Sequence, residues 1–124
     1  MGLLNAIMGN QSEVDIEKVQ EQFSFILTED EQFLRAYKLV RDMMVFTNKR
    51  LILVDKQGAM GKKKELLTIP YKNISTFSME TKGTFDSDSE LKIWVRDMPE
   101  PLSTKFSKDE HAKAIYQILG EAGL

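Results

Sequence analysis

The sequence predicts a mainly β (α+β) domain: seven short antiparallel strands capped by a C-terminal helix, with an extra helix at the N-terminus. Three observations point there. The stretch AYKLVRDMMVFTNKRLILVDKQGAMG, Ala36 to Gly61, sets three five-residue apolar runs between polar turns at Arg41-Asp42, Asn48-Lys49 and residues 55–61. Such runs, bounded by Asn, Asp and Gly, read as strands of a meander. Leu91, Ile93 and Val95 alternate with Lys92, Trp94 and Arg96, which gives a strand with one core face. Beyond Ser107 the apolar spacing changes to that of a helix.

A chain of 124 residues fits one domain, which would hide roughly 65–70% of its unfolded surface. The expected parts are an N-terminal helical segment over 1–27, the strands over 34–106 and the C-terminal helix over 107–122. An apolar fraction of 42% supplies a core, and 29% charged residues favour solubility. The net charge of −2 argues against a nucleic-acid binder, which shows a basic face. Without cysteine the chain has no disulfide, thiol nucleophile or thiolate metal site. No apolar run reaches the ~18–20 residues that span a bilayer. The opening MGLLNAIMGN lacks the positive start of a signal peptide and carries Ala6 where myristoylation needs Ser or Thr. A soluble cytoplasmic protein is the expectation.

In chain order, Leu3, Leu4, Ile7 and Met8 sit at helical spacing before Gly9-Asn10. That short amphipathic piece suits packing, within the chain or between chains, better than a membrane surface. Ser12 with Asp15 resembles a capping box, and Ile16, Val19, Phe23 and Ile26 continue as a helical stripe. The helix frays near Leu27-Thr28, and Glu29-Asp30-Glu31 reads as a solvated acidic turn rather than a metal site, because no further fixed ligand stands nearby.

After the meander a fourth strand runs from about Lys64 to Ile69 and closes at Pro70, which cannot donate to a ladder. Lys56, Lys62, Lys63 and Lys64 crowd the preceding loop. Lysines there discourage edge pairing; touching anionic lipid is the weaker reading. Ile74 to Glu80 is a fifth strand. The polar connection 81–90 brushes a calcium-loop spacing at Asp86, Asp88 and Glu90, but Leu91 and Asp97 occupy the places where that loop needs Gly and Glu. In the sixth strand Trp94 lies on the polar face between Lys92 and Arg96, either as an interface anchor or covered by neighbouring aliphatic stems. Met98-Pro99-Glu100-Pro101 is a stiff turn, and Leu102 to Phe106 the seventh strand.

The last helix is capped by Ser107 with Glu110, and Ala112, Ile115, Ile118, Leu119 and Ala122 form its apolar stripe. His111, the single histidine, has no nucleophile or carboxylate partner in sequence and is poor material for acid–base work. No catalytic, cofactor or metal constellation is found.

Several strings together carry a family resemblance: AYKLVRDMMVFTNKRLILVDKQG, Thr68-Ile69-Pro70-Tyr71-Lys72, FSMETKGTFDSDSELKIWV and MGLLNAIMGNQSEVD. They resemble the bacterial pleckstrin-homology-like (PH-like) domain family over essentially the whole chain. The specific pieces are Arg41-Asp42, Phe46-Thr47-Asn48-Lys49-Arg50-Leu51 and Asp55-Lys56-Gln57-Gly58. The resemblance implies a PH-like β-barrel that assembles into closed cyclic rings, a pentamer being the first guess, without enzymatic activity or cofactor. It also implies a hydrophilic surface that binds other proteins. Carried onto this chain, the candidates for that surface are Arg41, Asp42, Lys49, Arg50, Asp55, Gln57, Glu80, Thr84 and Asp86. Ordinary turn chemistry is the competing account of each. The expected function is a ring-forming scaffold or adaptor. The alternative is a peripheral membrane module using residues 1–8 and the Lys62–Lys64 loop. Specific phosphoinositide binding is not expected, because the first hairpin turn is only Arg41-Asp42 and half its charge is cancelled.

Overall fold

The computed structural model describes residues 12–38, 42–57, 63–81, 89–106 and 109–123. The elements are β1 (Ser12–Glu13), α1 (Ile16–Phe23), a 3-10 turn (Ser24–Ile26), β2 (Phe33–Lys38), β3 (Met43–Thr47), β4 (Arg50–Gln57) and β5 (Lys63–Pro70). A second 3-10 turn (Tyr71–Asn73) then leads to β6 (Ile74–Glu80), β7 (Ser89–Val95), β8 (Leu102–Phe106) and α2 (Asp109–Gly123). They fall into two compact units, Ser12–Pro70 and the part of the chain from Tyr71 onward.

The first unit is an antiparallel sheet in the order β1-β2-β3-β4-β5. All five residues of β3, Met43-Met44-Val45-Phe46-Thr47, are buried, so this central strand is covered on both faces. One sheet face carries Ala36, Met43, Val45, Ile52 and Val54, which pack with Phe33 against Val19 and Phe23 of α1. Burying those two helix side chains is worth about 1.5–3 kcal/mol each. The opposite face carries Tyr37, Met44, Phe46, Leu51, Leu53 and Ile69, every one buried, with Tyr37 and Phe46 in an edge-to-face pair at 6.3 Å.

The expected start of the first helix is corrected. Ser12 belongs to a short strand paired with Lys38, so eight strands are found among the described residues and the 1–27 segment is not wholly helical. The cap is Asp15, whose carboxylate accepts from the Glu17 amide at 3.0 Å. A short extended piece beside the exposed flank of β2 satisfies that strand's backbone groups, which a helical turn cannot do. β2 starts at Phe33, ahead of the apolar run from Ala36, because a bulge between Phe33 and Arg35 lets it keep pairing with β3.

The second unit is an antiparallel sheet in the order β6-β7-β8, with α2 packed against it. Leu91, Ile93 and Val95 of β7 are buried, as alternation predicted, and so are Leu102, Thr104 and Phe106 of β8. In β6 a bulge between Ile74 and Thr76 resets the phase, so that Ile74 is half-buried like Phe77 and Met79. The extra residue, Ser75, donates its hydroxyl to the Trp94 carbonyl at 3.2 Å. Helix α2 buries Ala112, Ile115 and Leu119 and half-buries Ile118, but Ala122 is exposed in its last turn. The Ser89 hydroxyl donates to Asp109 at the helix start. The predicted cap Ser107 lies outside the described residues.

The expected mainly β fold is present, but the barrel is not closed among the described residues. The described strands form two separate ladders rather than one closed sheet. Pairing of β5 ends at Pro70 opposite Arg50, where the ring nitrogen has no proton to give. The chain then turns through Tyr71–Asn73 before β6 begins.

Candidate interaction surface

The β3–β4 hairpin holds the family-like string around Asn48-Lys49-Arg50, and its side chains reach back to the connector after α1. Arg50 donates from Nε to Glu31 Oε2 at 2.8 Å and from Nη2 to Glu31 Oε1 at 2.9 Å. Nη2 also reaches the Ile26 carbonyl at 2.6 Å, and Nη1 the Thr68 hydroxyl at 3.0 Å. Glu31 accepts further from the Thr47 hydroxyl at 2.7 Å and from the Thr28 amide and hydroxyl at 2.9 and 3.1 Å. Asn48 brackets the same connector, accepting from the Gln32 amide at 2.8 Å and donating to the Asp30 carbonyl at 2.9 Å. Lys49 Nζ donates to the Glu29 carbonyl at 2.8 Å.

Glu31 overturns the expectation of a solvated acidic turn: its side chain is 1% exposed. Burial pushes its pKa up, but the Arg50 fork and the donors from Thr28 and Thr47 outweigh that and hold it at about 2. In Glu29-Asp30-Glu31 only the last carboxylate is turned inward by the hairpin, and local sequence carries no signal of that. Asp30, with φ of 63°, makes the turn, a conformation that Asp tolerates better than most residues.

The described members of the predicted surface differ in exposure. Asp42 is buried. Lys49 is exposed and Arg50 half-buried, both bonded as above. Asp55 is half-buried on β4 opposite Glu65. Gln57 pairs along the backbone with Lys63. Glu80 is exposed at the end of β6. Arg41, Thr84 and Asp86 lie outside the described residues, as do residues 1–8 and Lys62. Lys63 and Lys64 belong to β5, and Lys64 Nζ stands 5.3 Å from the centre of the Phe23 ring.

A second polar surface emerges on the three-stranded sheet. Away from the buried positions, β6 presents Thr76, Ser78 and Glu80, β7 presents Glu90, Lys92 and Trp94, and β8 presents Ser103 and Lys105. Register sets Trp94 opposite Thr76, Lys92 between Ser78 and Ser103, and Glu90 between Glu80 and Lys105. Ser103 donates to Glu90 at 2.7 Å. Ser78, Met79, Glu80, Glu90 and Lys92 line an open pocket of about 310 Å³. Trp94, further along the same face, is half-buried. The alternation of residues 91–95 already placed Trp94 on the polar side; Ser103 and Lys105 were missed because register is a tertiary property. Among the described residues no group of three His, Asp or Glu side chains is placed to hold a metal ion. No described helix is long and apolar enough to cross a membrane.

Residues 2–122 match the family model described as bacterial PH domain. The chain is 52% identical over 120 residues to the uncharacterized protein YjqA of Bacillus subtilis, covering 96% of each. It is 34% identical over 94 residues to YozO of the same organism, covering 76% of this chain and 80% of that one. A crystal structure of a protein with a pleckstrin-homology domain from Shewanella loihica shares 42% identity at a TM-score of 0.81, covering 94% of this chain and all of that one. A pleckstrin homology domain from Shewanella amazonensis shares 47% identity at a TM-score of 0.66, over 99% of both chains.

Proposed function

Because this chain belongs to the bacterial PH domain family, we propose that it is a non-catalytic, self-assembling scaffold of the cytoplasm that binds other proteins. The observation that carries the reading is the outer face of β6–β8. There a half-buried tryptophan stands beside alternating carboxylates, ammoniums and hydroxyls. Tryptophan supplies buried contact area at an interface, and the mixed charges around it set register and reject mismatched partners.

Self-association rests on the sheet edges. Among the described residues β1 and β5 border one sheet, and β6 and β8 border the other. Open edges present unpaired backbone groups, and a head-to-tail ring is the arrangement that covers them on every copy at once. A closed ring, with five copies as the first guess, is our reading. The membrane alternative draws less support, since Lys64 already leans onto Phe23.

Light scattering behind a sizing column, over a tenfold concentration range, tests the assembly. One species of several copies that survives dilution supports the scaffold. A monomer throughout would sink it, and binding to anionic vesicles would then be the measurement to make. Trp94→Ala is expected to weaken partner capture while leaving the thermal midpoint nearly unchanged.

A further inference from the structure

We infer that the segment from Ser12 to Phe23 is a hinged strap, which lifts off the apolar face of the five-stranded sheet while the Arg50–Glu31 clasp stays closed. The inference rests on how unequally the two ends are held. At the clasp, the guanidinium of Arg50 joins the Ile26 carbonyl to both oxygens of a carboxylate that is 1% exposed. Asn48 fastens the connector at Asp30 and Gln32 as well. Charged hydrogen bonds made out of water are strong and costly to break.

The other end is held differently. Among the described residues β1 pairs through Ser12 and Glu13, and the Val14 amide donates to the Ala36 carbonyl at 2.8 Å. The Arg35–Glu13 pair joins side chains that are 42% and 33% exposed, where ion pairs contribute little. Between the ends, α1 has eight residues, too few to persist as a free helix. Its buried anchors are Val19 and Phe23, and the next turn holds Phe25, 75% exposed. Such an element belongs to the low-stability end of a fold and opens as a unit before the rest. Opening uncovers the apolar stripe of Ala36, Val45, Ile52 and Val54.

Hydrogen exchange on the intact chain under native conditions tests this. Amides of 16–23 are expected to exchange together and at least about tenfold faster than those of Thr28 and Gln32 in the clasp and those of β3 and β4. Equal rates for the strap and the clasp would overturn the inference. Val19→Ala is expected to speed exchange over 16–23 by a further ~tenfold or more and to leave Thr28 and Gln32 unchanged; acceleration of both alike would also overturn it. Arg50→Met, where it folds, is expected to bring Thr28 and Gln32 up to the rate of the strap.

Discussion

Arg50 and Glu31 show what one ion pair does once a fold has enclosed it. Removing Arg50 leaves the Glu31 carboxylate buried without its cation, so Arg50→Met is expected to cost about 3–5 kcal/mol in urea unfolding. Glu31→Gln, which keeps the shape and removes the charge, should cost less. The double change should cost less than the two single changes added together, because they remove the same interaction. The pair also sets a pH dependence. Glu31 is held at about 2, below its ordinary 4.5. Its stabilisation is therefore complete above the unfolded value and is lost as pH falls from about 5 through 2. The shift corresponds to roughly 3 kcal/mol, and Glu31→Gln should flatten the stability profile over that range. None of this was legible in the local sequence. Glu31 ends a run of three carboxylates that looks solvated, and Arg50 sits in a hairpin turn where any polar residue is at home. The two are nineteen positions apart and meet because β4 and the connector are brought together by pairing elsewhere.

Most elements could be read from periodicity. Strands β3, β4, β7 and β8, and the run of α2, lie where five-residue apolar runs, strict alternation or helical spacing put them. The boundary of α1 could not be read, since Ser12 and Asp15 are both good caps and the choice depended on β2 having an open flank. Asp15→Ala is expected to cost about 1 kcal/mol, whereas Ser12→Ala should have no capping effect on α1. Phe23→Ala removes the larger of the helix's two buried anchors and should cost about 3–5 kcal/mol. The bulge at Ser75 was likewise invisible, because one additional residue changes the phase of β6 without changing its composition.

For the molecule as a whole, composition and charge disfavour disulfide, thiol and nucleic-acid chemistry. If the proposed ring forms, its mass should hold on dilution, and charge reversal on the outer face, as in Lys92→Glu, should weaken partner capture without dissociating it. The sequence by itself determined the fold class, the strand meander, the terminal helix and the family, since each depends on local periodicity or on strings that lie side by side in the chain. The tertiary structure alone decided that Glu31 is buried, that Lys49 and Arg50 bind their own chain, and that β1 exists. Those outcomes depend on register and long-range pairing, where a polar side chain goes inward or outward according to which distant partner the backbone brings within reach.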